Sequence, residues 1–389
     1  EIGSGLVGSE MCIRDRNTGV KEIPVQYTRK QIFEFAESEL LAIENELKAP
    51  GSNEYGRVDR VAGWFLLARM YLNAQTWINE NKYQEAYAYA VKVIADGHYP
   101  LASDYREIFL ADNNTCKEII WPLVQDGLRA QSSAGTNFYV KAFVNGPMDE
   151  LYKTGVGSRG WGNVRAKVSL VDAFDADDVM FDGNDTWGNN KKDKRAQFMT
   201  ALPNQVKDTW DVNMDMTSTF TCGYGYIKWR NVTKEDELCP SGDAYTSIDF
   251  PLFRTADAYL MAAEAILRGA NGTQSEALGY VNEVRTRAYM SGKYAKNGVR
   301  SDVSGEITAN ELNLDFLLVE RQKELASELT RRTDLIRFGK YTKGNNWDWK
   351  NGVRLGADVD DKYNLFPIPE SELTNNPTLV QNDGYKVIK

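Results

Sequence analysis

Histidine is almost missing from this chain. Among 389 residues there is one, His98. Most histidine metal sites and most Ser–His or Cys–His nucleophiles are excluded with it. The cysteines are four, Cys12, Cys116, Cys222 and Cys239, with no Cys-x-x-Cys to suggest a zinc ribbon. An excess of positive charge is also lacking. Lys and Arg total 46 against 55 Asp and Glu, a formal charge of −9. A nucleic-acid binder needs a basic face to neutralise phosphates, so that class is set aside. Long apolar runs are absent. The longest, Val61–Leu72, is interrupted by Gly63 and Arg69 and falls short of the ~20 residues a membrane-crossing helix needs.

What is present points to a folded protein with a large core. Hydrophobic residues make up 42% and aromatics 11%, including 9 Trp and 20 Tyr. The composition argues against wholesale disorder. The first sixteen residues, EIGSGLVGSEMCIRDR, follow neither a helical nor a strand period. Their GLVGSEMCIRDR stretch resembles a translated sequencing-adapter remnant. Residues 1–16 are therefore read as a non-native leader, with the native chain expected to extend further upstream.

Helix signals begin at Thr28, which with Gln31 forms a capping box. Ile32, Ala36, Leu40, Ile43 and Leu47 follow at three- and four-residue steps, predicting a helix over 29–48. Asp59 caps a second helix, and a third runs from Tyr83 to a stop at Gly97. Trp64, Leu67, Ala68 and Tyr71 match the large–small face of a tetratricopeptide repeat, with Ala86 and Ala90 as its partners. A second helix pair is expected at Ala256–Arg268 and Gln274–Ala288, then one long helix from Leu314 to about Gly339. The pairs lie far apart in sequence, which argues against a continuous solenoid.

The middle, 126–250, is rich in Gly, Asn, Asp and aromatics and has weak periodicity. Segments of this kind carry binding surfaces more often than they serve as linkers. Gly155-Val-Gly157-Ser-Arg-Gly160 fits GxGxxG but follows no clear strand, so it reads as an ordinary glycine-rich loop. The acidic run Asp172, Asp175, Asp177, Asp178, Asp182 and Asp185 lacks the register of a calcium loop and reads as a solvated face or helix end. His98, just past a helix stop, reads as a turn residue. Cys222 and Cys239 could pair in a secreted protein. Trp229 reads as structural. Trp161, flanked by Gly160 and Gly162, presents an indole with little around it. Such a face can stack on the C–H face of a sugar ring while polar neighbours bond the hydroxyls. The candidate ligand residues are Trp161, Trp187 and Trp210, with Arg159 and Asn163 as hydrogen-bonding partners. No catalytic pair, metal site or cofactor site stands out.

The C-terminal third carries Glu320-Arg321-x-x-Glu324-Leu-x-x-Glu328, then Arg332-x-Asp334-Leu-x-Arg337-x-Gly-Lys340. With the tail LFPIPESELTNNPTLVQNDGY (365–385), this resembles the SusD/RagB family. Ala68-Arg69-Met-Tyr71, Ser169–Phe174, Asp193-Lys-Arg195, Tyr226-Ile-Lys228, Arg254 and Ala263-Glu264-Ala265 support it in order. The resemblance covers 23–389. It implies a mainly all-α fold of tetratricopeptide-like helix pairs with an irregular ligand-bearing region. The implied division is a helical remnant over 17–125 and a C-terminal domain over 126–389 with variable loops at 126–250. It implies a surface lipoprotein of the outer membrane that captures oligo- or polysaccharide for a SusC-like TonB-dependent transporter, without catalysis. The anchor and signal peptide expected of such proteins are not seen. The other reading of the helix pairs is a peptide-binding scaffold. Glu320, Arg321, Glu324 and Glu328 read as packing residues, with Asp334 and Arg337 expected to tie the helix end to the tail.

Overall fold

The computed structural model describes residues 24–129, 131–179, 187–188, 190–200, 223–290, 303–344, 350, 353 and 356–386. Residues 1–16 with Cys12, and Asp182, Asp185, Trp210 and Cys222, lie outside the described residues. Three helices open the fold: α1 Arg29–Ile43, α2 Arg60–Ile78 and α3 Tyr83–Asp96. Strand β1 (Ile119–Leu123) follows, then the short helices α4 Thr136–Ala142, α5 Gly146–Tyr152, α6 Val168–Val171 and α7 Ala176–Val179. Strands β2 (Phe198–Thr200), β3 (Tyr224–Tyr226) and β4 (Phe250–Arg254) lead into α8 Thr255–Leu267 and α9 Gln274–Met290. The C-terminal helices are α10 Leu314–Leu325, α11 Arg331–Arg337 and α12 Glu370–Asn375.

The start and stop signals act as chemistry requires. Thr28 Oγ1 accepts from Gln31 N at 3.2 Å while Gln31 Oε1 accepts from Thr28 N at 2.9 Å. Asp59 Oδ1 takes the first free amides of α2, Val61 N at 2.9 Å and Ala62 N at 3.2 Å. Gly97 ends α3 at φ 75°, a left-handed position glycine adopts without strain.

Helices α2 and α3 form an antiparallel pair, α8 packs on α3, and α9 packs on α8. The two helix pairs, remote in sequence, therefore stack side by side. Fully buried alanines make this possible: Ala86 and Ala90 of α3 share one core with Ala258, Ala262 and Ala265 of α8. Without longer side chains between them the backbones approach closely. That same core contains Ile120 of β1 and Phe253 of β4. Strand β1 pairs antiparallel with β4, Leu123 opposite Phe250. Shared packing thus crosses the boundary drawn after residue 125.

The middle region builds a second core. Tyr105, Phe109, Phe174, Phe198, Tyr224, Tyr226, Trp229 and Phe250 are all buried in it. Trp229 stacks on Phe250 at 5.5 Å and on Tyr139 at 5.5 Å, and Phe109 meets its edge at 4.9 Å. Much of the middle region's described aromatic content is thus core, as expected of Trp229. Cys239 is a buried free thiol, its sulfur 2.9 Å from Ser241 Oγ, so it bonds no second cysteine.

Buried charge joins the two cores. Arg254 uses all five of its donors. Nε and Nη2 reach Glu328 at 2.6 and 2.8 Å. Nη1 reaches Glu118 at 2.9 Å and Glu324 at 2.7 Å, and Nη2 also reaches the Glu324 carbonyl at 2.7 Å. Arg287 spans Glu118 and Glu324. Arg195 joins Asp193, Glu320 and Glu324, and Arg285 holds the second Glu320 oxygen at 2.6 Å. A neighbouring cluster ties Arg321 to Asp257 and Asp334, and Arg337 to Glu264, Asp334 and Asn73. The expectation that Glu320, Arg321, Glu324 and Glu328 serve packing is met through bonds between elements.

Two expectations are corrected here. The helix predicted from Leu314 to Gly339 breaks between α10 and α11. Ser327 and Leu329 both sit at φ 62°, turning Glu328 inward toward Arg254 and Lys228. The freed carbonyls of Glu324 and Ala326 accept from Tyr105, Arg254 and Lys228. Similarly, α11 is tied to the tail by Arg332, not by Asp334 and Arg337. Arg332 Nη2 donates to Tyr363 O at 3.0 Å and Asn364 O at 3.1 Å, and its guanidinium lies 4.3 Å from the Phe366 ring.

Charge tuning follows from the geometry. Burial alone would raise the Glu324 carboxyl, but Arg287, Arg254 and Arg195 draw it down to about 2. Glu264 is likewise drawn down to about 2 against its burial by Arg337, Arg321 and Arg268. Burial pulls the Lys228 ammonium down to about 8, opposed by Glu328.

Two outcomes are expected. Glu324→Gln leaves three arginines short of an anion inside the protein, which should cost about 3–5 kcal/mol. A urea denaturation midpoint well below that of the parent chain checks it, with Asp361→Asn at the exposed Lys343–Asp361 pair moving it little. Because Glu324 and Glu264 are lowered from 4.5 to about 2, their contribution is complete above pH 4.5 and fades as pH falls toward 2. Thermal midpoints should hold steady down to pH 4.5 and drop below it. A flat profile through that window would contradict the assignment.

Candidate functional site

The strongest sequence candidate, Trp161, lies on a segment folded back onto the end of α4. Trp161 N donates to Lys141 O at 2.8 Å, Gly162 N to Val144 O at 2.8 Å, and Asn163 N and Val164 N to Ala142 O at 3.0 and 2.9 Å. These carbonyls lie at or just past the end of α4, where helix carbonyls run out of amide partners within the helix. Gly160 makes the approach possible. A Cβ there would lie 2.5 Å from Val144 O and 2.8 Å from its carbonyl carbon.

The consequence is a pair of aromatic rings on the surface. Trp161 is 39% exposed and Phe138, on α4, is 41% exposed. Their centroids are 6.0 Å apart at an interplanar angle of 61°, an edge-on contact. Behind them Phe138 meets Tyr139 at 5.9 Å, and Tyr139 stacks on the buried Trp229. The exposed rings are therefore backed by core aromatics.

Arg159 and Asn163 flank the pair, and both are exposed. Arg159 Nε donates to Asp243 Oδ1 at 3.0 Å, which steadies the guanidinium without burying it. Beneath them Lys141 is buried, its ammonium donating to Ala244 O at 2.5 Å. Burial lowers its pKa, with the nearby Arg159 adding to the effect.

The glycine-rich loop 155–160 is already filled. Gly157 N at 2.9 Å and Val156 N at 3.1 Å donate to Asp149, whose carboxylate also accepts from Thr154. An anion of the chain itself occupies the amides a phosphate would need, which agrees with reading the motif as an ordinary loop.

Trp187, named with Trp161 from the sequence, sits elsewhere. It is 8% exposed and clusters with Leu110 and Val232. Arg230 lies 4.5 Å and Arg106 5.9 Å from its ring, and Arg106 Nη1 donates to its carbonyl at 2.8 Å. Its indole is engaged in packing, leaving little face for a ligand. Trp210 lies outside the described residues. Of the named residues the structure gathers Trp161, Arg159 and Asn163. Phe138 escaped the sequence reading because its place beside Trp161 depends on the backward fold of 160–164. Asp178, from the acidic run, is not solvated but buried on α7, where it accepts from Lys192 N at 2.7 Å and Asp193 N at 3.0 Å. His98 is exposed beside Asp96.

Comparison with known proteins places this geometry. The SusD family profile matches residues 117–385. The starch-binding protein SusD of Bacteroides thetaiotaomicron is 32% identical over 395 residues, spanning 94% of this chain and 67% of that protein. SusD-like protein P25 of Formosa agariphila is 25% identical, and the match spans 85% of this chain and 59% of that protein. Among solved structures, a SusD-like protein from Bacteroides fragilis superposes with a TM-score of 0.65 at 21% identity, covering 94% of this chain and 73% of that one. Surface glycan-binding protein A from Bacteroides thetaiotaomicron, in complex with laminarihexaose, gives 0.61 at 22% identity, covering 92% and 72%. These two share the fold. With the family profile matching residues 117–385, a relative 32% identical over 94% of the chain, and helix pairs, signature helix and tail all in place, this chain belongs to the SusD family.

Proposed function

We propose that this chain captures oligo- or polysaccharide on the Trp161–Phe138 platform and does not cleave it. The exposed, core-backed aromatic pair carries this reading. A pyranose presents an apolar C–H face that an indole covers, while Arg159 and Asn163 can bond the ring hydroxyls. Two of the similar proteins support the substrate class, one named as starch-binding and one solved with laminarihexaose. A shallow surface gives modest affinity per site, and repeated sites along one polymer raise it through effective concentration. The proposal extends to delivery. The captured glycan passes to a SusC-like TonB-dependent transporter, with the chain held at the outer face of the outer membrane by an N-terminal lipid. Among the described residues no helix is long and apolar enough to cross a membrane, so attachment would come from such an anchor.

The scaffold reading has less to use. The small-residue faces of α3 and α8 are buried against each other, where a peptide groove would need them open.

Affinity electrophoresis through gels containing soluble starch or laminarin tests the platform. The parent chain should be retarded, Trp161→Ala should weaken binding at least about tenfold, roughly 1.4 kcal/mol, and Phe138→Ala should weaken it less. Retardation unchanged in both variants rejects the platform, and release of reducing ends by the purified chain rejects the non-catalytic role. Gly160→Ala should act at a distance. Its methyl meets a backbone carbonyl that cannot rotate away, so the 160–164 segment shifts at about 1–3 kcal/mol. Glycan affinity should fall while the circular dichroism spectrum is retained.

A further inference from the structure

A cavity of about 270 Å³ lies apart from the aromatic platform, between the 165–170 segment, α10 and the start of α11. Its apolar walls are Phe143, Leu170 and Leu325. Four cationic residues also line it, Arg165, Lys167, Arg321 and Arg331, and none of the described lining residues is Asp or Glu. That balance is unusual in a chain with a formal charge of −9, where buried arginines such as Arg195, Arg254, Arg287 and Arg337 answer carboxylates.

The four cations differ in what they already hold. Arg321 already holds two carboxylates, Asp257 and Asp334. Lys167 is exposed to solvent. Arg331 is mostly withdrawn from water, yet its two hydrogen-bond partners are neutral: Leu318 O at 2.8 Å and Gln322 Oε1 at 2.7 Å. Burial pulls its guanidinium down to about 10, opposed only in part by Asp334 nearby. A desolvated cation with neutral partners is costly unless an anion approaches. Thr330, which also lines the cavity, has a buried Oγ1 with no hydrogen-bond partner among the described residues. Buried hydroxyls are rarely left so, and this one can donate to an incoming oxygen.

We infer that this cavity binds a small carboxylate with an apolar body, its head between Arg331, Lys167 and Thr330 and its body against Phe143, Leu170 and Leu325. The volume is at the small end for ligand sites and suits one ring and a carboxylate, not a sugar chain. The inference is independent of the glycan reading, since it uses none of the platform residues.

Isothermal titration calorimetry on the full chain tests it with three probes: phenylacetate, the neutral 2-phenylethanol and inorganic sulfate. Phenylacetate should bind, and both other probes should bind at least about tenfold more weakly. Ser169→Phe, which fills the cavity without changing charge, should abolish phenylacetate binding. Arg331→Gln should do the same. If that variant fails to fold, the double variant Arg165→Gln, Lys167→Gln should weaken binding at least about tenfold instead. No heat with phenylacetate at millimolar concentration overturns the site. Equal binding of 2-phenylethanol overturns the anion requirement, and equal binding of sulfate overturns the apolar one. Binding that survives Ser169→Phe places the ligand elsewhere and overturns the assignment. Starch retardation of Ser169→Phe should stay at the parent level, which separates this site from the platform.

Discussion

Arg254 is the residue around which the fold closes. It ends β4, opens α8, and reaches Glu118 before β1 and Glu324 and Glu328 at the end of α10. Placing such charges inside a protein carries a desolvation penalty of several kcal/mol per ion. The penalty is offset here because Arg254 has every donor matched, and because Arg287 and Arg195 share the same carboxylates. Net stabilisation by such a network is small compared with a well-packed apolar core. Its effect is geometric: a saturated guanidinium tolerates one arrangement of its partners, and these partners come from strands, helices and loops more than two hundred residues apart.

That requirement explains the break in the signature helix. A continuous helix would carry Glu328 past Arg254 and leave the guanidinium partly unmatched. Instead Ser327 and Leu329 take positive φ angles that disfavour side-chain-bearing residues, at about 1–3 kcal/mol each. Leu329 is left 74% exposed. The strain persists because Tyr105, Arg254 and Lys228 bind the carbonyls that the break releases. Electrostatic matching overrides helix propensity over these few residues.

Local signals were therefore legible in the sequence and remote pairing was not. The Thr28–Gln31 box, the Asp59 cap and the Gly97 stop depend on neighbours within a few residues, and each forms as its chemistry demands. The alanine spacing showed that α2–α3 and α8–α9 would be helix pairs, yet could not show α3 lying on α8. The continuous helix to Gly339 was misjudged because Glu328 has its partners at Arg254 and Lys228. The packing of Trp187 was not legible because the two guanidiniums beside its ring, Arg106 and Arg230, come from remote segments. Trp161 was legible for a local reason: glycines on either side leave its ring open. Phe138 was not, since nothing in its own helix turns marks it as a neighbour of residue 161.

The framework and the surface platform are connected by direct contact. Lys228 belongs to the buried charge cluster through Glu328. The next residue, Trp229, stacks on Tyr139, which neighbours Phe138 on α4, and Phe138 meets Trp161. A line of rings thus runs from the charged centre to the exposed pair. Rings held this way have little rotamer freedom left to lose when they contact another surface, so less of the binding free energy goes into ordering them. A pre-set aromatic surface also makes few demands on the identity of what it covers. Selectivity at this surface would then rest on the polar rim, where Arg159 is already oriented by Asp243. Asn163 is anchored through its backbone, leaving its side chain exposed. The charged centre fixes where the paired rings stand, and Arg159 and Asn163 are the polar groups exposed beside them.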